Sequence, residues 1–183
     1  MALVYVTGLS ATGKSAVLDE LRSRGYQAHG VDEDGYADWI HRHTGAVGDF
    51  PDNPDFDFHA WYVEHNWVLS VPRIEALSRE AASLSEPVFL CGIADGEDQV
   101  RHLFGTVIAL VADLQTLKQR IAIRDNLFGK HPEELALIIA LHVGYEDAYR
   151  GFGAAIVDAT RPLAQVTDEI LAIAHSRRHV VPS

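Results

Sequence analysis

The sequence predicts an α/β fold in which a parallel sheet of about five strands carries helices on both faces. Short apolar runs, several of them rich in β-branched residues, alternate along the chain with amphipathic segments of helical period. Because parallel strands need crossover connections, this alternation places the strands side by side in one sheet with right-handed crossovers. The 183 residues match the size of one folding unit, so we expect a single domain over residues 1–183.

The amino-acid composition excludes some classes of binding partner. A formal net charge of -11, from 26 acidic and 15 basic side chains, argues against binding to nucleic acid or to an anionic membrane. Cys91 is the only cysteine, the first residues resemble a strand rather than an export signal, and no apolar run approaches the roughly 20 residues of a membrane span. We therefore expect a cytoplasmic protein whose partner is a small molecule, with its oligomeric state left open.

The first strand and the first helix enclose a glycine turn. Residues 2–6 form an apolar run typical of a buried strand, and the apolar spacing after residue 15 predicts a helix ending near Gly25. The turn between them reads G-x-x-x-x-G-K-S, the Walker A pattern of a phosphate-binding loop, in the strand, turn and helix context that the pattern requires. Its eight residues are Gly8, Leu9, Ser10, Ala11, Thr12, Gly13, Lys14 and Ser15.

Each fixed position of this turn has a chemical reason. Gly8 and Gly13 let the backbone N–H groups point at phosphates, next to the positive end of the following helix. Lys14 would bridge the β- and γ-phosphates, and the Ser15 hydroxyl would bind magnesium. The alternative is a glycine turn that precedes a helix by chance, which is roughly a one-in-a-hundred event or rarer in a chain of this length. The sequence thus predicts ATP and Mg²⁺ as cofactors.

The second predicted strand covers residues 27–31, and two carboxylates follow it. Ligands collect at the carboxyl ends of parallel strands, so Asp32 and Asp34 should lie beside the phosphate-binding loop. We expect Asp32 to order the waters of the magnesium ion, as part of the metal site with Ser15. Asp34, in the first turn of a predicted helix over residues 33–43, would bind the substrate and accept the proton of its hydroxyl. The alternative for either residue is a helix cap.

The region between the second and third strands is the expected acceptor-binding region, at about residues 33–85. Residues 45–58 read as a loop, and an amphipathic segment follows that Pro72 should kink before the pattern resumes. Trp39, Trp61 and Trp67, all the tryptophans of the chain, fall in this region. Aromatic residues at helical spacing are more often part of a core, but their concentration here points to a lined cleft.

The rest of the chain continues the alternation. Strands are predicted at residues 87–91, 106–111 and 154–158, a short helix begins at 95–98, and longer helices follow at 114–123, 132–149 and 162–175, before a frayed tail at 177–183. Ten histidines occur, but His41 and His43 would point to different faces of a helix and no cysteine lies nearby, so we expect no structural metal site.

Several motifs together resemble the small P-loop kinases of the adenylate, shikimate and gluconate kinase type. They are the phosphate-binding loop, the Asp32-x-Asp34 pair, Gly92 after the third strand, Arg120 and Arg124 after the fourth, and the segment 158–162 after the fifth. The resemblance covers nearly the whole chain as an order of elements. It implies a three-layer P-loop NTPase fold with strand order 2-3-1-4-5, an acceptor site between strands two and three, and a short lid at about residues 124–131.

The resemblance also implies roles for single residues. Arg120 would pack near the adenine and Arg124 would contact the phosphates from the lid, while Arg161 and Pro162 would line the adenine pocket. Gly92 would lie at the substrate. The catalytic residues expected on this basis are Lys14, Asp34 and Arg124.

Three functions remain open. The first is ATP-dependent phosphoryl transfer to a hydroxyl of a small polar metabolite, as in shikimate and gluconate kinases. The second is a nucleoside monophosphate kinase, which would need arginines in the acceptor region, where Arg42, Arg73 and Arg79 are available. The third is an ATP-binding regulatory protein with slow ATPase activity. The sequence also leaves open whether Asp95, a loose match to an acidic residue of adenylate kinases, contributes to the magnesium site.

Overall fold

The computed structural model describes residues 3–49, 56–125 and 128–176. Three predicted segments lie wholly or partly outside the described residues. These are the tail at 177–183, residues 50–55 of the predicted loop at 45–58, and residues 126 and 127 of the predicted lid. Within these ranges the strands are β1 Leu3–Gly8, β2 Ala28–Gly30, β3 Ala37–His41, β4 Val47–Gly48, β5 His65–Leu69, β6 Val88–Cys91, β7 Phe104–Val111 and β8 Ala155–Asp158. The helices are α1 Lys14–Ser23, α2 Phe58–Glu64, α3 Val71–Ser83, α4 Glu97–Val100, α5 Leu114–Ile123, α6 Pro132–His142, α7 Tyr145–Gly151 and α8 Leu163–Ser176.

Five strands form a parallel sheet in the order β2-β6-β1-β7-β8. The predicted α/β class is confirmed. The strand labels differ from the predicted ones because β3, β4 and β5, which form a second sheet, were not predicted. When only the five parallel strands are numbered along the chain, their order in the sheet is 2-3-1-4-5.

Helices cover both faces of the parallel sheet. Alternate side chains of β1 point to opposite faces, as the two-residue period of a strand requires: Val4 and Val6 belong to one buried cluster, and Leu3 and Tyr5 to the other. Helices α1 and α8 pack on the first face, and α3 packs on the second. Their buried contacts are Val17, Leu18, Leu21, Val166, Ile170 and Ala174 on the first face, and Ile74, Leu77 and Ala81 on the second.

A second, antiparallel sheet of order β4-β3-β5 lies within residues 33–85, the region expected to bind the acceptor. The predicted helix over residues 33–43 is wrong, because the chain turns after β2 and then enters β3. Trp39 of β3 lies opposite Trp67 of β5, and cross-strand pairs of aromatic residues stabilise such a sheet. The long amphipathic segment is likewise divided into α2, β5 and α3. Pro72 occupies the first turn of α3, where proline is favoured, instead of kinking a helix.

The helix predicted over residues 132–149 is two helices. Val143, with a φ of -71° and a ψ of 112°, ends α6 in an extended conformation. Gly144, with a left-handed φ of +83°, is the N-cap of α7. No helix among the described residues has the length and apolar character needed to cross a membrane.

The small sheet is joined to the parallel sheet through the segment that follows β6. The backbone N–H of Asp95 donates to the Trp67 carbonyl oxygen at 2.8 Å, and the N–H of Leu69 donates to the Asp95 carbonyl oxygen at 2.9 Å. These bonds fix β5 beside the carboxyl end of β6. The small sheet therefore forms a wall next to the loop that follows β1.

Candidate active site

The loop between β1 and α1 is fixed by close backbone packing. A Cβ atom on Gly8 would lie 2.4 Å from Thr12 Oγ1 and 3.0 Å from the Leu110 carbonyl oxygen, so only glycine fits there. Gly13 has a φ of +106° and Ala11 a φ of +68°, left-handed values that a residue with a side chain adopts uncommonly. The loop has the tight turn that a phosphate-binding loop needs.

The Lys14 side chain folds back over this loop. Its ammonium Nζ donates to the carbonyl oxygens of Gly8 at 2.7 Å and Leu9 at 3.0 Å, and the side chain lines the cleft between the two sheets. The positive charge is thus held at the mouth of the loop.

The charges around Lys14 come from three other elements. Burial lowers the pKa of Lys14 to about 8, the carboxylates of Asp32 and Glu97 oppose this shift, and the Arg124 guanidinium adds to it. Two cations and two carboxylates therefore meet at one end of the cleft. The cations can bind a chain of phosphates, and the carboxylates can bind a metal ion or accept a proton from a hydroxyl group.

Asp32 lies between the phosphate-binding loop and the small sheet. Its Oδ1 accepts a hydrogen bond from Trp67 Nε1 at 2.8 Å. Burial raises the pKa of Asp32, while the Trp67 hydrogen bond and the Lys14 charge lower it in part. The side chain is nevertheless accessible from the cleft, so its carboxylate can meet a ligand there.

Asp34, the predicted partner of the substrate, is turned away from the cleft. Its Oδ2 accepts hydrogen bonds from Arg22 Nη2 at 2.6 Å and from the Gly30 backbone N–H at 2.7 Å. The predicted placement is wrong because residues 31–35 form turns rather than a helix, and the carboxylate folds back onto the end of β2. Its observed contacts are those of a local cap.

Glu97, the first residue of α4, is a cleft residue that the sequence analysis missed. Its Oε1 accepts hydrogen bonds from the hydroxyls of Tyr5 at 2.8 Å and Thr7 at 3.0 Å, and its Oε2 accepts one from the Tyr149 hydroxyl. Burial raises the pKa of Glu97, and the three hydroxyls lower it in part. Acidic residues follow the third strand of the parallel sheet at residues 95–98, but the sequence suggested a metal role for Asp95 alone and only a helix start for Glu97.

Ser15, Asp32 and Glu97 are the cleft residues whose oxygen atoms could hold a magnesium ion. All three offer hard oxygen atoms, which Mg²⁺ prefers. All three line the cleft, and both carboxylates lie close enough to Lys14 to shift its pKa. The Asp95 side chain also lines the cleft.

Arg124 extends from the end of α5 over the phosphate-binding loop. Its Nη2 donates to Ser10 Oγ at 2.9 Å and to the Phe128 carbonyl oxygen. Its Nε–H is buried and has no hydrogen-bond partner among the described residues, and burial lowers the pKa of the guanidinium. A buried donor on a cation, beside a phosphate-binding loop, is suited to an anionic ligand.

Arg120 links the phosphate-binding loop to the segment after β8. Its guanidinium donates to the carbonyl oxygens of Thr12 at 3.0 Å and Ala159 at 2.9 Å. The residue lines the cleft, but these bonds commit it to holding the two loops together.

Three other expected site residues have local roles. Arg161 donates to the Asp158 carbonyl oxygen and pairs with Glu169 of α8. Pro162 directly precedes α8, and its carbonyl oxygen accepts backbone hydrogen bonds from the first turns of that helix. A Cβ on Gly92 would lie 2.3 Å from Val31 Cβ, so glycine is required there for packing. The structure does not bring these three residues to the lining of the cleft.

The opposite wall of the cleft is aromatic. The cleft has a volume of about 1500 Å³, and the rings of Trp39 and Trp67 lie 5.0 Å apart on the small sheet. Trp61 is not part of this wall, since it stacks on His65 at 3.7 Å instead. The other aromatic residues of this wall are Phe56, Phe58 and Tyr62, and Phe128, from the segment bound to Arg124, faces them across the cleft.

Comparison with known proteins supports this description of the fold. No family model matches the chain, and no curated protein matches its sequence. Among solved structures, a gluconokinase from Sinorhizobium meliloti matches with a TM-score of 0.54 and 21% identity over 96% of this chain and 92% of that chain. The shikimate kinase from Acinetobacter baumannii, in complex with shikimate, matches with a TM-score of 0.60 and 18% identity over 98% and 96%. A deoxyadenosine kinase from M. mycoides with bound dATP matches with a TM-score of 0.54 and 16% identity over 92% and 97%. The chain has the fold of these P-loop kinases.

Proposed function

We propose that the protein is an ATP-dependent kinase that phosphorylates a hydroxyl group of a small molecule without a phosphate of its own. The observation that carries the proposal is the convergence of Lys14, Arg124 and Asp32 on one cleft, at the mouth of a loop shaped for phosphate. The shared fold with gluconokinase, shikimate kinase and deoxyadenosine kinase supports a reaction of this class.

The donor half of the cleft provides positive charge. Loop N–H groups, Lys14 and the Arg124 guanidinium would surround the β- and γ-phosphates and stabilise the charge of the transition state. Ser15 and Glu97 would hold the magnesium ion, which neutralises phosphate charge when bound. Asp32 would then remain available to the acceptor. Arg120 keeps the loop in place by its bonds to Thr12 and Ala159.

The acceptor half provides a base and a surface for binding. Trp67 holds one oxygen of Asp32, and the carboxylate can accept a hydrogen bond from the acceptor hydroxyl. As that hydroxyl oxygen bonds to the γ-phosphorus, the bond to the bridging oxygen of ADP breaks and Asp32 takes the hydroxyl proton. The general base is therefore Asp32, and not Asp34 as the sequence suggested.

The side chains of the acceptor half favour an acceptor without a phosphate. Of the three arginines considered in this region, Arg42 lines the cleft. Arg73 is paired with Asp38 at 3.0 Å, and Arg79 Nε donates to the Glu75 carbonyl oxygen within α3. A nucleoside monophosphate kinase needs more positive charge around the second phosphate. The aromatic wall instead suits the flat apolar face of a sugar or nucleoside.

A screen for acceptors tests the proposal. Formation of ADP from ATP and Mg²⁺ is measured alone and with sugars, sugar acids and nucleosides. We expect at least one neutral or monoanionic hydroxylated compound to increase the rate of ADP formation far above the basal rate. A basal rate that no compound changes would instead support the regulatory ATPase.

The pKa of Lys14 predicts how the reaction depends on pH. Below about pH 8 the amine of the free enzyme is protonated, and above it the charge that binds phosphate is lost. We expect kcat/KM for ATP to fall by about tenfold per pH unit above that value, while kcat falls less because bound phosphates favour the protonated amine. A pH–rate profile from pH 6 to 10 measures this, with circular dichroism to confirm that the fold persists. A flat kcat/KM up to pH 9.5 would contradict the assignment.

Arg124→Ala should impair transfer more than it impairs the fold. Removing a cation that faces the transferring phosphoryl group typically costs about 10²-fold or more in kcat. Arg161→Ala is the matched control, because that arginine is bound to Glu169 of α8 and to the carbonyl oxygen of Asp158 at the end of β8. We expect the control to retain kcat within about twofold, and equal rates for the two variants would argue against a phosphate contact by Arg124.

A further inference from the structure

Three side chains with metal-binding chemistry meet at the edge of the cleft, outside the phosphate site. His59 belongs to α2, His131 directly precedes α6, and Glu133 lies in the first turn of α6. One ligand atom from each lies within 4.8 Å of the others. The His59 and His131 rings stack with their centroids 3.7 Å apart. Residues distant in the sequence are thus brought together by the fold, which explains why sequence spacing did not reveal them.

A buried carboxylate orients the first of these rings. The Glu134 side chain is 1% exposed, and its Oε1 accepts a hydrogen bond from His59 Nδ1–H at 3.1 Å. Its Oε2 accepts one from the Gly129 N–H at 2.7 Å. Metal-binding histidines are usually held in this way, with the second ring nitrogen donating to a carboxylate.

The opposite nitrogen of the same ring faces a second carboxylate. His59 Nε2 lies 3.3 Å from Glu133 Oε2. Zn²⁺ binds imidazole nitrogen and carboxylate oxygen at about 2.0–2.2 Å, so two of its tetrahedral ligand atoms lie about 3.3–3.5 Å apart. His59 Nε2 and Glu133 Oε2 are therefore spaced as two ligands of one ion, which also comes within reach of His131.

We propose that His59, His131 and Glu133 bind a divalent transition-metal ion of the Zn²⁺ type, with Glu134 as a positioning residue. Two imidazole nitrogens and one carboxylate oxygen suit Zn²⁺ and leave a fourth position for water, whereas Mg²⁺ and Ca²⁺ prefer sites made of oxygen alone. Binding requires the two stacked rings to tilt so that both lone pairs point at one ion. The hydrogen bond that His131 Nδ1 accepts is long, at 3.4 Å from the Glu133 N–H, and can yield to this rotation.

The site would connect the two sides of the cleft. His59 adjoins Phe58 of the aromatic wall. His131 follows the segment at 128–130, whose Phe128 carbonyl oxygen accepts a hydrogen bond from Arg124. The rings of Tyr62 and Phe128 already lie 5.0 Å apart across this gap. A bound ion would therefore hold residues 128–131 against α2 and restrict opening of the cleft.

Metal titration of the full chain, without an affinity tag and after treatment with a chelator, tests the proposal. Zn²⁺ is titrated in competition with a chromophoric chelator, for the wild type and for His59→Ala, His131→Ala and Glu133→Gln. His102→Ala, an exposed histidine outside the cluster, is the matched control. We expect one Zn²⁺ per chain in the wild type and the control, and affinity reduced by about tenfold or more in each of the other variants. Co²⁺ in place of Zn²⁺ should give the visible absorption of a four-coordinate site.

A second measurement follows residues 128–131 by hydrogen exchange. Added Zn²⁺ should slow exchange of this segment in the wild type and leave it unchanged in Glu133→Gln. Since the Glu133 side chain is 77% exposed, this variant decides the result even if His59→Ala disturbs packing. Absence of stoichiometric Zn²⁺ binding in the wild type, or equal affinity in Glu133→Gln, would overturn the proposal. Loss of phosphoryl transfer has no bearing on either readout, so the metal site and the proposed kinase activity are tested separately.

Discussion

Lys14→Ala is expected to lower kcat for phosphoryl transfer by about 10²- to 10³-fold, or roughly 3–4 kcal/mol of transition-state stabilisation. The ammonium group is held by two loop carbonyl oxygens at the mouth of the phosphate site, where its charge offsets that of the transferring phosphoryl group. The fold should persist, because the residue is not part of the buried apolar clusters. Steady-state kinetics with the identified acceptor, together with thermal unfolding, measure both effects.

Lys118→Ala provides the control for this prediction. Lys118 is an exposed lysine in the middle of α5, so its removal changes the net charge equally without touching the loop. We expect this variant to retain kcat within about twofold, as surface substitutions usually do. Wild-type turnover by Lys14→Ala would show that the loop does not bind the transferred phosphate.

Asp32→Asn should reduce transfer by about 10²-fold or more, the usual scale for a lost general base. The amide keeps the size of the side chain and an oxygen that can accept the Trp67 hydrogen bond, but it cannot take up a proton. Binding of a fluorescent ATP analogue should change much less than kcat, since the loop and the cations remain. Kinetics and analogue binding, measured on the same preparation, separate the two effects.

Asp34→Asn is the matched control, with the same chemical change two residues away. Its carboxylate contacts Arg22 and the end of β2, so we expect transfer close to the wild-type rate and a small loss of stability. If Asp34→Asn loses transfer and Asp32→Asn retains it, the role of base belongs to Asp34, as the sequence first suggested, and the local pairing of Asp34 must break during the reaction.

The elements that sequence predicted well have local signals. The phosphate-binding loop depends on eight consecutive residues. Its glycines are favoured by close contacts at Gly8 and by the left-handed φ of Gly13. The predicted bounds of α5, at residues 114–123, are confirmed, because an Asp113 cap and a continuous amphipathic pattern define that helix within one segment.

The elements that were mispredicted depend on pairing between distant residues. β3 is a strand because Trp39 lies opposite Trp67, and that pairing cannot be read from the residues around position 39 alone. The error carried over to Asp34, whose expected direction assumed a helix at that point.

The hydrogen-bond partners of the site residues could not be predicted either, because they are also distant in the sequence. Glu97 is held by hydroxyl groups from β1 and α7, which lie far from it in the sequence. Arg120 matched a family position, but the fold offers it two carbonyl oxygens to bind. The residue type alone indicated a cation near the loop, and only the tertiary structure shows what that cation contacts.

Following the γ-phosphate of labelled ATP is the most direct test of the claim that donor and acceptor meet in one cleft. The enzyme, ATP labelled at the γ-phosphorus, Mg²⁺ and the acceptor found by the screen are incubated, and products are separated after a limited number of turnovers. We predict one labelled phosphoryl group on the acceptor for each ADP formed, with little label in inorganic phosphate. Label that appears only as inorganic phosphate, at the same rate with and without the acceptor, would contradict the account.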